Sequence, residues 1–148
     1  MKDALDTEFL SIISDNLNQA SDALSASIAD FESKLNDLRL GTTVWVTFVF
    51  EEQGSGSGPP AECCGEIGYG KHSGRWGLLY RRGSPEFEYE EVMFLTDAPR
   101  TEKLRAIEQL PELVSKLETE AYELYKRIKG TIEKMGSPVL LHHFEIAE

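Results

Sequence analysis

The stretch TTVWVTFVF, residues 42–50, decides how this chain folds. Its residues are all β-branched or aromatic, the types that favour extended structure, and successive residues of an extended strand point to opposite faces. One face of the extended strand carries Val44, Val46, Phe48 and Phe50. Helical patterns lie on both sides of this stretch, so it predicts the first strand of a sheet placed between helices.

The segment before this strand predicts one long helix. Residues 3–39 contain no glycine or proline, and Gly41 follows as a helix stop. Apolar residues recur there in steps of three and four: Leu10, Ile13, Leu17, Ala20, Leu24, Ile28, Phe31, Leu35 and Leu38. Such a helix extends about 54 Å, whereas a compact chain of this length is roughly 40 Å across. Unless the helix breaks near residues 16–18, we expect it to project beyond its own domain. The part of its apolar stripe that the domain does not cover would then pack against another subunit.

The residues after the first strand predict the rest of the sheet. Strands are expected at 65–71 and 75–82, joined by a tight turn at 72–74, with a fourth strand at 87–96. The intervening sequence QGSGSGPP, residues 53–60, has no apolar residue and predicts a flexible loop. The expected sheet is a four-stranded antiparallel β-meander.

A second helical stripe occupies residues 99–136, and Pro111 interrupts it. Proline removes a helical hydrogen bond and clashes with the preceding turn, so we expect a kink or restart near Pro111. The two long helices are expected to pack as an antiparallel coiled-coil-like hairpin. Residues 1–148 would then form a single α+β domain with a C-terminal tail at 137–148.

The order helix, four strands, helix resembles that of the alpha-type subunits of prefoldin, a chaperone whose helices project from a β platform. The resemblance covers the order of the elements. It implies a chaperone-like variant of an assembly function.

Charge and composition exclude several classes of protein. The 148 residues include 15 basic and 26 acidic side chains, which gives a net charge of −11. Such a balance makes nucleic acid and anionic membranes unexpected partners. No apolar run reaches bilayer length, and the first residues do not resemble a signal peptide. The two cysteines are adjacent, which suits a reducing compartment, so we expect a cytoplasmic protein.

No motif predicts a metal, a cofactor or a catalytic residue. The candidate zinc ligands are Cys63, Cys64, His72, His142 and His143. Neither the Cys-Cys nor the His-His pair has the two-to-four-residue spacing of a structural zinc site, which favours loop cysteines and surface histidines. The glycines of 65–71 precede another strand, whereas a dinucleotide-binding loop precedes a helix. The sequence therefore favours a protein that is not an enzyme. The alternative is a catalytic site assembled from residues far apart in the sequence.

The predicted hairpin at residues 69–82 is the candidate binding site. Four basic residues against one acidic residue give the segment 65–83 a charge of +3 within an acidic chain. The candidate ligand-binding residues are Tyr69, Lys71, Arg75, Trp76, Tyr80 and Arg81. Cations between aromatic rings suit a phosphate, a nucleotide base or an acidic partner. In the structural alternative, arginines pair with acids of the next strand: Arg81 and Arg82 with Glu86, Glu88 and Glu90.

These patterns favour a non-enzymatic interaction or assembly protein. It would form homo-oligomers through its helical stripes and present a small β-sheet surface to a protein partner. The first alternative is a binder of a small anionic ligand or nucleotide at the hairpin. The second is an acidic inhibitor that mimics nucleic acid.

Overall fold

The computed structural model describes residues 2–54, 56, 58–83 and 88–136. Its elements follow in the order α1 (Lys2–Asp37), β1 (Val44–Glu52), β2 (Ala61–His72), β3 (Arg75–Gly83), β4 (Met93–Phe94), a 3₁₀ turn (Leu95–Asp97), α2 (Arg100–Ile107) and α3 (Leu110–Lys134). The strands form one antiparallel sheet in the order β1-β2-β3-β4. The predicted α+β class with a four-stranded antiparallel sheet is therefore confirmed.

One face of the sheet and the helices packed on it form the core. The register places Val46 opposite Ile67, and Ile67 opposite Tyr80, so apolar side chains line up across three strands. α1 packs against β3, and α3 packs against β1 and β2. The buried core residues are Ile28, Leu35, Val44, Val46, Phe48, Ile67, Tyr69, Leu78, Tyr80, Leu95, Ala98, Ala106, Leu113 and Leu117.

The tight turn between β2 and β3 lies where the sequence predicts it. Ser73 and Gly74 both have positive φ angles, 50° and 82°. Two consecutive residues of this kind form the turn whose twist matches that of an antiparallel hairpin. His72 and Arg75 consequently face each other across the two strands.

β2 is longer than predicted, and it contains both cysteines. It begins at Ala61 because β1 continues to Glu52 and pairs with every residue back to that point. Cys63 and Cys64 are therefore buried strand residues, and the prediction of loop cysteines is wrong.

The fourth strand is much shorter than the predicted 87–96. Of its described residues, 88–96, only Met93 and Phe94 form strand pairs with β3, and a bridge joins Tyr89 to Gly83. Residues 88–91 are exposed, because their three glutamates are more stable in water than against the sheet. The paired strand is therefore limited to the apolar end, and the polar end keeps the bridge and one hydrogen bond from the Glu90 N–H to the Arg82 carbonyl at 2.8 Å.

The helices also differ from the expectation. α1 is continuous, so the alternative break near residues 16–18 does not occur. The single kinked C-terminal helix is instead two helices, α2 and α3, and Pro111 lies in the first turn of α3. Proline is stable at that position because the first N–H groups of a helix have no partner within it.

Over their described residues, α1 and α3 rest on different strands and share no extended interface. The predicted antiparallel coiled-coil-like hairpin is therefore absent from this part of the chain. The apolar face of the sheet provides a wider surface for each helix than the other helix does. The described residues of the predicted loop at 53–60 form no helix or strand, and the predicted tail at 137–148 lies outside the described residues.

Candidate functional site

The C-terminal half of α1 covers an edge of β3 that β4 leaves open. β4 pairs with β3 only at Leu79 and Tyr80. Beyond that point, the backbone N–H of Leu78 donates to Glu32 Oε2 at 2.8 Å. Asn36 Nδ2 donates to the carbonyl oxygen of Trp76 at 3.1 Å. Because Glu32 and Asn36 are four residues apart, they lie on one face of the helix and together replace the missing strand.

A cleft of about 380 Å³ opens where α1 ends, next to the β2–β3 hairpin. It is lined by Asn36, Arg39, Leu40, Gly41, Tyr69, Arg75 and Trp76. Two arginines, an amide and two aromatic rings therefore surround one space. This is the candidate functional site.

The aromatic wall of the cleft is held in place from behind. The rings of Tyr69 and Trp76 stack with their centroids 5.6 Å apart and an interplanar angle of 29°. The Tyr69 hydroxyl donates to Asn36 Oδ1 at 2.6 Å. Burial, and secondly the charge of Glu32, raise the pKa of the Tyr69 phenol, so it stays neutral and a donor. The wall is consequently preorganised.

The two arginines of the cleft differ in their partners. Arg75 pairs with Glu32 at 3.0 Å, and its guanidinium lies 3.7 Å from the centre of the Phe94 ring. Arg39 follows the helix in a left-handed conformation, with φ of 51°, and it is exposed. Among the described residues, Arg39 has no carboxylate within 4.0 Å. Arg39 is therefore the cation that remains available to a ligand.

Three of the six predicted binding residues meet at this cleft: Tyr69, Arg75 and Trp76. The other three do not. Lys71 is exposed and does not line it. Tyr80 is fully buried, and its hydroxyl donates to Glu102 at 3.0 Å. Arg81 pairs with the buried Glu66 at 2.8 Å.

Arg81 belongs to the face of the sheet opposite the helices. Its guanidinium lies between two rings, 4.7 Å from the centre of Trp45 and 4.5 Å from that of Tyr89. A cation paired with Glu66 and enclosed by two rings is satisfied within the fold. This residue is structural.

Arg82 is also satisfied, although by different acids from those the sequence suggests. It pairs with Glu52 at 2.8 Å and with Glu102 at 3.4 Å, and Arg105 reaches Glu52 at 3.4 Å. Hydrogen bonding from Arg82 holds the pKa of Glu52 below its usual value, despite some desolvation. The predicted pairing of Arg81 and Arg82 with the acids at 88 and 90 is not seen, and residue 86 lies outside the described residues.

Asn36 and Arg39 are the site residues that sequence reasoning missed. Both lie near the end of α1, about forty positions from Trp76. In the sequence, the end of this helix is marked by Gly41, a typical residue just beyond a helix C-terminus. In the structure its φ is 65°. Nothing in the local pattern connects it with the hairpin.

Chemistry at the cysteines is limited by their burial. Cys63 and Cys64 are 9% and 8% exposed, and Arg82 Nη2 approaches Cys63 Sγ at 3.7 Å. Within the described ranges, no three His, Cys, Asp or Glu side chains are grouped so as to hold a metal ion.

A second unusual surface is the N-terminal half of α1, which extends beyond the sheet. Every described residue from 7 to 20 is exposed. The exposed apolar side chains include Phe9, Leu10, Ile12, Ile13 and Leu17. Toward α2 the stripe continues into an apolar groove of about 290 Å³ that Leu24 and Leu104 help to line.

No protein-family model, curated protein or solved structure matches this chain. Within the part of the chain that the structure describes, no helix is long and apolar enough to cross a lipid bilayer.

Proposed function

We propose that this protein is a non-enzymatic assembly protein that forms homo-oligomers through its helical stripes. The observation that carries the proposal is the exposure of the stripe on α1. Leu10, Ile13 and Leu17 are 62%, 41% and 46% exposed, although their spacing places them on one face. Contiguous exposed apolar surface of this kind marks an interaction site.

The partner for this stripe is the last half of α3 of a second copy. Residues 7–24 carry three acidic residues and no basic one. Residues 121–136 carry four basic residues against two acidic ones, and their exposed apolar side chains are Tyr122, Ile128 and Met135. The three acids, Glu8, Asp15 and Asp22, lie on the side of α1 away from the exposed apolar stripe, so their charge acts on a second copy at longer range. Two acidic α1 segments would repel each other, whereas an acidic and a basic segment attract.

Two-fold symmetry satisfies both stripes at once. Each copy contributes one acidic segment and one basic segment, so α1 of either copy rests on α3 of the other, and the contact closes as a dimer. The lengths are also similar, because residues 7–24 span about 27 Å and the helical residues 121–134 about 21 Å. The opposite face of the sheet, where Val49 is 68% exposed, is left for a protein partner.

A single charged substitution on the stripe should dissociate the dimer. We expect light scattering to give the wild type twice the 16.6 kDa mass of the chain, and Ile13→Lys the mass of one chain. The reason is that an ammonium group at the centre of the interface would lose its water and face the basic segment of α3, which carries the same charge. Because Ile13 is exposed in the single chain, circular dichroism should show an unchanged fold.

The matched control is Ser11→Lys, which adds the same charge two residues away. That position is exposed and lies on the opposite side of the helix, so the dimer should persist. A wild type that is monomeric at every soluble concentration contradicts the proposal, and so does equal dissociation by both variants.

Salt identifies which stripes meet. About 1 M NaCl reduces the Debye length to roughly 3 Å. It should therefore weaken a contact between the acidic segment of α1 and the basic segment of α3. A dimer of two acidic α1 segments would instead become tighter. Tightening would therefore overturn the proposed pairing of α1 with α3.

A further inference from the structure

We propose that the cleft at the end of α1 binds a small ligand in which a flat ring carries an anionic group. Trp76 takes the ring, and Arg39 takes the anion. This inference goes beyond assembly and does not depend on it, because Trp76 and Arg39 lie outside both oligomerisation stripes.

The ring site is built before the ligand arrives. Trp76 is half-buried in the lining of the cleft, and Tyr69 stacks on it at 5.6 Å. The hydrogen bond from Tyr69 to Asn36, and the one from Asn36 to the backbone of Trp76, hold this pair against α1. A ligand ring therefore meets a surface whose side chains lose little further freedom on binding.

The charge of the cleft favours an anion. Glu32 already balances Arg75, so the guanidinium of Arg39 leaves a net positive charge beside the aromatic wall. Arginine presents several N–H groups in one plane, which suits the two oxygens of a carboxylate or phosphate. Arg39 is the specificity-determining residue of the cleft.

The end of α1 opposes this charge in part. Carbonyl groups at a helix C-terminus carry a partial negative charge. Two of them already accept hydrogen bonds, Leu35 from the N–H of Leu38 and Asn36 from the N–H of Arg39. The affinity should consequently depend on Arg39 and fall as salt screens it.

The size of the cleft limits the ligand. A volume of about 380 Å³ lies at the small end of the range for ligand pockets, so it suits one ring system with one anionic group. Aromatic carboxylates and nucleoside monophosphates share this chemistry. Benzoate is the test ligand for the aromatic carboxylates, and adenosine 5′-monophosphate is the test ligand for the nucleoside monophosphates. Benzamide and adenosine are their uncharged counterparts.

The test uses the two tryptophans of the full chain as reporter and internal control. The indole N–H signals of Trp45 and Trp76 are assigned in ¹H–¹⁵N spectra with Trp76→Phe. We expect benzoate or adenosine 5′-monophosphate to shift the Trp76 signal in a saturable way and to leave the Trp45 signal in place. If only one of the two anions binds, that anion identifies which of the two ligand classes the cleft accepts.

Arg39→Gln should weaken the binding of the active anion by about tenfold, the usual effect of losing a charged hydrogen-bond partner. The matched control is Lys34→Gln, which removes the same charge from an exposed position on the same helix and should leave the affinity unchanged. The uncharged counterpart should bind about tenfold more weakly than the anion. The proposal is overturned if neither anion shifts the Trp76 signal, if charged and uncharged probes bind equally, or if both variants weaken binding alike.

Discussion

Replacing Glu32 by alanine should lower the free energy of unfolding by about 3 kcal/mol. Glu32 is 6% exposed, and its carboxylate accepts from both the backbone N–H of Leu78 and the guanidinium of Arg75. Without it, the buried N–H has no partner and a cavity remains between α1 and β3. The contribution of Arg75 is small because that side chain is 54% exposed and solvent screens its charge. Urea denaturation followed by circular dichroism measures the change.

Two variants separate the buried role of Glu32 from the loss of a charge. Glu32→Gln keeps an oxygen that can accept from Leu78, so it should cost only about 1 kcal/mol. Asp30→Ala removes an exposed carboxylate, paired with Lys34 one turn away, and should change the stability by less than about 0.5 kcal/mol. If Glu32→Ala costs no more than Asp30→Ala, the carboxylate does not hold α1 to the sheet.

Gly68→Ala should be comparably destabilising, by about 3 kcal/mol. A Cβ at this position would lie 2.6 Å from a ring carbon of Trp45 and 2.9 Å from the carbonyl oxygen of Val44. The surroundings cannot move aside easily. The guanidinium of Arg81 covers the Trp45 ring, and Lys116 donates to the Trp45 carbonyl at 2.7 Å.

The matched control is the same substitution at Gly130, which should change the free energy of unfolding in the opposite direction. Gly130 lies within α3, and a Cβ there meets no atom within 4 Å. Alanine restricts the unfolded chain and favours the helix, so Gly130→Ala should stabilise the protein by about 0.5–1 kcal/mol. Equal effects at the two positions in urea denaturation would show that close packing over β2 is unimportant.

The hairpin shows how far local sequence predicts this fold. The turn at 72–74 and the inward face of β1 follow from residues within a few positions of each other. β4 does not, because its length depends on competition for the edge of β3. At Trp76 and Leu78, residues of α1 forty or more positions away occupy that edge, and the chain leaves it after Phe94. The exposed glutamates of 88–91 lie at the other end of the edge, beside Arg82 and Gly83.

The candidate site divides in the same way. Tyr69, Arg75 and Trp76 were predicted because cations and rings alternate along one hairpin, and they do line the cleft. The same alternation included Tyr80 and Arg81, whose partners are Glu102 and Glu66. Arg75 and Arg81 each pair with a buried acid, and sequence spacing does not reveal that only Arg75 of the two also lines the cleft.

The sequence by itself determined the α+β class, the long first helix and the faces of the strands, because each follows from the local period at which apolar residues recur. The tertiary structure alone decided that α1 and α3 lie on different strands and that α1 closes the edge of β3. It also brought Arg39 to the cleft and left the stripe on α1 uncovered. The physical reason is that these contacts join residues far apart in the chain. The apolar face or charged group that each residue contacts depends on how whole helices and strands pack together. A local sequence pattern does not contain that information.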